Sequence, residues 1–145
     1  MVPLRAGMKP DCLFCKIAAG TVAALVVGET ADAIAFLDHR PVFPGHTLII
    51  PRAHVDTLID LPADGIAPLF AFVQRLARAV ETGLGADGTF VAMNNRVSQS
   101  VPHLHVHVVP RRKKDGLRGF FWPRQKYEND AVAELTREAI RKALT

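Results

Sequence analysis

The sequence predicts an α+β fold built on an antiparallel sheet. Short apolar runs of strand length come in neighbouring pairs that can close as hairpins. Residues 63–82 carry a helical apolar period and stand between two such groups of strands. The order is helix, strands, helix, strands, helix, without the strand–helix alternation of a parallel βαβ series.

The elements follow in order. Residues 1–10 read as a flexible lead-in, and Met8 is an alternative start; residues 11–145 read as a single domain. Asp11 is placed to cap a short helix through Ala19, which Gly20 ends. Leu25–Glu29 and Ala33–Leu37 read as a hairpin joined through Thr30-Ala31-Asp32. Pro41, Pro44 and Gly45 make the next stretch a loop, and His46–Pro51 is a third strand. In the central helix Ile66, Leu69, Phe70, Val73, Leu76, Ala77 and Val80 form the apolar face, and Gly83 and Gly85 stop it. Thr89–Met93 is a fourth strand and the stretch ending at Pro110 a fifth. Residues 129–143 form a last helix with a thin stripe of Ala131, Leu135, Ile140 and Leu144.

Length and composition narrow the function. The 145 residues can bury a real core. Nothing approaches the ~18–20 apolar residues of a membrane span, and residues 1–8 lack the apolar centre of a signal peptide, so a cytoplasmic protein is expected. The net charge of +4 favours anionic substrates. The basic run Arg111-Arg112-Lys113-Lys114 is weak support for nucleic-acid binding. No G-x-x-x-x-G-K loop is present, so a nucleotide would be held another way.

The most informative stretch is Ser98–Pro110. On a strand, His103, His105 and His107 share one face while Leu104, Val106 and Val108 pack on the other. Three alternating histidines point to catalysis, to a metal, or to both. For a metal, Cys12 and Cys15 supply a C-x-x-C half-site, and His54 and His103 are the best placed histidines to complete a zinc set. Otherwise the cysteines are a redox pair or plain thiols. For catalysis, neutral His105 is a candidate nucleophile toward phosphorus. Ser100 and Gln99 could hold phosphate oxygens, and protonated His107 could stabilise charge on the phosphoryl or leaving group. No G-x-S-x-G elbow supports acyl transfer.

The stretch His103-Leu104-His105-Val106-His107-Val108-Val109 resembles the signature of the histidine triad (HIT) superfamily. The resemblance extends to Cys12-Leu13-Phe14-Cys15, Ala35-Phe36-Leu37-Asp38, Pro44–His54 and Gln99-Ser100, and is nearest to small bacterial HINT-like proteins. It implies a five-stranded antiparallel sheet with two main helices, extended by homodimerisation. It implies a purine nucleotide substrate cleaved through a nucleotidyl-histidine on His105, with Ser100 and His107 at the α-phosphate or leaving group. It further implies Phe36 at the base, Asp38 at the ribose hydroxyls, Asn94 in preference to Asn95 near ribose and phosphate, His46 as a supporting histidine, and structural zinc on Cys12, Cys15, His54 and His103. Two departures stand out. His39 replaces an apolar residue, and Arg96-Val97-Ser98 replaces a glycine-rich bend. Trp122 could cover the site or join the core. The activities left open are phosphoramidate or dinucleoside polyphosphate hydrolysis, nucleotidyl transfer to phosphate, non-catalytic nucleotide binding, and action on adenylated nucleic-acid ends.

Overall fold

A computed structural model describes residues 7–118 and 123–144. It divides into two compact units, one ending at Lys113 and the other beginning at Lys114. The first holds α1 (Leu13–Ala18), β1 (Val26–Glu29), β2 (Ala33–Leu37), β3 (Thr47–Pro51), α2 (Ala63–Leu84), β4 (Gly88–Ala92) and β5 (Val106–Arg111). The second holds α3 (Asp130–Leu144). Asn129 Oδ1 accepts from Val132 N–H at its start, and Glu134–Arg137 and Glu138–Arg141 pair along it. Trp122 and the neighbouring Phe120 and Phe121 lie outside the described residues, as do residues 1–6.

The five strands form one antiparallel sheet in the order β1-β2-β3-β5-β4. One face packs Ala33, Ala35, Ile49, Leu104, Val106 and Val108 against Leu69, Phe72, Val73, Leu76 and Val80 of α2. The other carries Ile34, Phe36, Leu48 and Ile50 under Phe14 and Ile17 of α1. Cross-strand partners share a face. Phe36 pairs with Leu48, Leu48 with His107, and His107 with Ala92, so His107 stands in a row with Phe36 on the α1 side.

Several expectations are corrected. Cys12, not Asp11, caps α1; its backbone is extended and its Sγ accepts from Cys15 N–H at 3.4 Å. Gly83 lies inside α2, which ends at Gly85 in the left-handed conformation. Ile66 is exposed, and Phe72 is buried against Gly28 of β1. β5 begins only at Val106, so His103 and His105 precede it. β3 turns away at Pro51, and Leu104 N–H bonds instead to Val55 O at 2.7 Å. The alternation survives the loss of the ladder, because Leu104 still enters the α2 core. Within the basic run, Arg112 donates to the carbonyls of Leu84 and Gly85, satisfying the end of α2.

Candidate functional site

A cavity of about 740 Å³ opens on the α1 face of the sheet. Leu13, Phe14, Ile17, Val22, Leu25, Phe36 and Leu48 give it an apolar wall; Asp38, His39, Ser100, His105 and His107 give it a polar one. This is the pattern of a small-molecule site, with much apolar surface and few convergent polar groups. A second cavity of about 420 Å³ lies where Arg52 meets the start of α2. No histidine lines it; its Arg52 guanidinium is spent on Thr30 O, Ala18 O and Glu29, and its other charged groups are Asp32 and Asp64.

Backbone groups fix the protons on the site histidines. His105 Nδ1 is 2.7 Å from His103 O, and a carbonyl only accepts. Nδ1 therefore carries the proton, and the lone pair of neutral His105 is on Nε2. The Phe14 ring stands edge-on to this imidazole at 5.1 Å. On the other side Val42 N–H donates to His46 Nδ1 at 3.1 Å. His46 is then protonated on Nε2, which donates to His107 Nδ1 at 2.9 Å. His107 in turn carries its proton on Nε2. Two imidazoles 5.0 Å apart thus have opposite characters, His105 with a lone pair and His107 with an N–H. Burial, reinforced by His105 and His46, pushes His107 down to about 4. Burial also lowers His46, with Asp38 opposing it. Neither needs a positive charge for its role near neutral pH.

Asp38 directly follows β2, with Oδ1 accepting from Arg40 N–H at 2.9 Å and Oδ2 3.7 Å from His46 Nε2. Asp38, His46 and His107 are close enough to share an ion. The Val42 N–H on His46 Nδ1 disfavours that, because it holds the His46 proton on the nitrogen that would have to ligate.

The expected contacts divide. Phe36, Asp38, Ser100, His105 and His107 meet at the cavity. Asn94 and Gln99 do not line it. Asn94 Nδ2 donates to Ser98 O; Gln99 donates to Asp56 O and accepts from Arg96 N–H. Both side chains brace the loop that presents Ser100. His39 lies at the rim, 3.9 Å from Asp38.

Cys12, Cys15, His54 and His103 converge beside this site, their donor atoms all within 4.8 Å of one another. Cys12 Sγ is 3.4 Å from His103 Nδ1, and Cys15 Sγ is 3.4 Å from His54 Nδ1 and 3.5 Å from His103 Nδ1. Tetrahedral zinc bonded to sulfur and nitrogen separates such atoms by about 3.5 Å. The other ring nitrogens have acceptors: His54 Nε2 is 2.6 Å from Asp56 Oδ1, and His103 Nε2 is 2.8 Å from Pro51 O. Both histidines are thereby held with Nδ1 lone pairs toward the sulfurs, as metal-ligating histidines are. Burial pushes His103 down to about 4 and the Cys15 thiol up. The donor set fits zinc.

Asp56, Val42 and Phe14 were not singled out in the sequence. Asp56 had a faint signal, a carboxylate two residues from a candidate ligand. Val42 had none, because its contribution is a backbone N–H.

The HIT domain model matches residues 19–114. A HIT-like protein of Mycobacterium tuberculosis is 37% identical over 134 residues, covering 89% of this chain and 92% of its own. An adenosine 5′-monophosphoramidase of Schizosaccharomyces pombe is 31% identical, covering 91% and 98%. An adenylylsulfatase of Arabidopsis thaliana is 33% identical, covering 76% and 57%. Among solved structures, a Streptococcus mutans protein superposes with TM-score 0.84 at 36% identity, covering 97% of this chain and 89% of its own. A zinc-bound histidine triad protein of Mycobacterium smegmatis superposes with TM-score 0.71 at 38% identity, covering 92% and 95%. On the matching family model, these identities and the shared fold, the chain belongs to the HIT domain family.

Proposed function

We propose that the protein is a nucleotide hydrolase that cleaves a nucleoside 5′-phosphoryl compound, with a purine nucleoside phosphoramidate as the substrate class. The observation that carries this is the His103 O–His105 Nδ1 bond of 2.7 Å, which leaves a lone pair on the Nε2 of a cavity-lining histidine. The apolar wall around Phe36 suits a base, and Asp38 has acceptor capacity for ribose hydroxyls. His105 Nε2 attacks the α-phosphorus, the P–N bond breaks, and its electron pair leaves on the amine, which takes a proton from solvent. The resulting imidazolium is stabilised by the His103 carbonyl. His107 Nε2–H and Ser100 hydrogen-bond the phosphoryl oxygens. Water then attacks phosphorus, gives up a proton to solvent, breaks the N–P bond and returns neutral His105. The S. pombe and A. thaliana relatives, named for P–N and P–O–S chemistry on adenylates, support this class.

A substrate panel tests it. An adenosine phosphoramidate should turn over to AMP faster than a dinucleoside polyphosphate or a nucleoside diphosphate. AMP binding with no turnover of any of them would defeat the reading, and a diphosphate product in added phosphate would make the enzyme a transferase.

Cys12, Cys15, His54 and His103 are the proposed zinc donors. Bound there, zinc would supply a structural clip between α1 and the segment leading into β5. The proposal includes a homodimer, since β1 and β4 leave two sheet edges, and Val91 on β4 is exposed. Molar mass in solution decides it. Among the described residues no helix is long and apolar enough to cross a membrane.

A further inference from the structure

Asp56 touches both the metal donors and the loop that presents Ser100. Its carboxylate accepts from His54 Nε2–H at 2.6 Å. Its backbone carbonyl accepts from Gln99 Nε2 at 2.5 Å, and Gln99 Oε1 accepts from Arg96 N–H at 2.8 Å. Nearby, Asn95 Oδ1 accepts from Leu58 N–H at 3.0 Å. The loop is therefore anchored to residues 56 and 58 by side-chain hydrogen bonds, while Val101 beyond it packs on the sheet. It needs anchoring: Arg96 and Ser98 have φ of 71° and 60°, a region disfavoured for residues with a Cβ. Segment 56–58 is in turn held beside the metal donors through His54.

We infer that Asp56 is a positioning residue that couples the metal tetrad to the substrate loop. Its carboxylate fixes His54 with the proton on Nε2 and strengthens Nδ1 as a ligand. Its carbonyl, through Gln99, sets the fold of the loop that ends in Ser100. Loading the tetrad fixes His54, His54 fixes Asp56, and Asp56 fixes the loop. The inference rests on the zinc site proposed above and not on the hydrolase reaction.

The test uses the full chain, zinc-loaded and chelator-stripped, and reads zinc affinity by competition with a chromophoric chelator. The Asp56 side chain is 54% exposed, so its substitution leaves the core intact, and matching melting curves of the metal-free proteins check this. Asp56→Ala should bind zinc about tenfold to a hundredfold more weakly. Asp56→Asn, which keeps an acceptor and loses the charge, should fall between. Amide exchange across residues 95–100 should slow when wild-type protein is loaded with zinc. Gln99→Ala should keep wild-type zinc affinity and lose that slowing. Wild-type zinc affinity in Asp56→Ala, or equal exchange in loaded and stripped wild type, would overturn the inference. A wild-type chain that binds no zinc would overturn it together with the metal site. Failure of the substrate panel with these results intact would remove only the hydrolase.

Discussion

His46 Nε2 donates to His107 Nδ1 across 2.9 Å, and the direction of that bond is set by the backbone N–H of Val42 on the far side of His46. His46 does not line the cavity, so its effect on substrate passes through His107. His46→Ala should lower kcat about a hundredfold, with little change in KM. His46→Gln, which can still donate toward His107, should recover part of the loss. A KM effect as large as the kcat effect would mean that His46 meets the substrate directly.

His105 carries the proposed covalent step, so its removal should be more severe. His105→Ala should lose about a thousandfold or more of kcat/KM while still binding AMP, since the apolar wall and Asp38 are untouched. Rapid quenching of the wild-type enzyme should yield protein heavier by one nucleoside monophosphate, labile to acid. His105→Ala should never show it. Wild-type turnover in that variant would remove the covalent mechanism.

His107 makes stability pH-dependent in a defined window. Its pKa falls from the ordinary 6.5 to about 4 in the folded chain, chiefly through burial. Between those values the unfolded chain takes up a proton that the folded chain refuses, so stability falls as pH drops from 6.5 toward 4 and this contribution is flat below. The groups facing His107 are His105 on its own segment, His46 ahead of β3 and Asp38 just after β2. The slope expected from one proton is about 1.4 kcal/mol per pH unit. Denaturation at several pH values should show His107→Gln less sensitive than wild type by about that slope. Equal slopes would place a charged His107 in the folded state.

The triad and the core were legible for the same reason. Alternation puts Leu104, Val106 and Val108 on one side and three histidines on the other, and this holds where the ladder is missing. The start of β5 was not legible, because it depends on where β3 turns away at Pro51. Phe72 was missed because apolar residues flank both sides of the α2 stripe. Phe72 turns inward, into the core and over Gly28, while Ile66 stays exposed. Gln99 and Asn94 carry phosphate-binding chemistry in their side-chain types, and their use within the loop depends on Asp56 O and Ser98 O, which no side-chain pattern reveals.

The proposed zinc donors, Cys12, Cys15, His54 and His103, can be tested without turnover. Purified protein should contain about one zinc per chain. Cys12→Ala should lower zinc content and melting temperature together, more than removal of a half-buried thiol alone would. Chelation should reproduce the loss in wild type and change Cys12→Ala little. A zinc-free protein of full stability would refute the site.

Two glycines should respond to alanine with opposite signs. Gly45 precedes His46 with φ of 101°, and a Cβ there would overlap Leu84 Cδ1 and lie 3.4 Å from Pro110 Cγ. Leu84 sits at the exposed end of α2 and can yield, but the backbone conformation cannot be relieved in the same way. Gly45→Ala should cost about 2 kcal/mol and, by shifting His46, lower kcat as well. Gly83 lies inside α2, with nothing within 4 Å of an added Cβ. Gly83→Ala should stabilise the protein by about 0.5–1 kcal/mol through helix propensity and leave kcat unchanged. Denaturant midpoints measured side by side check both, and a shift of the same sign in the two variants would contradict the backbone described at one of them.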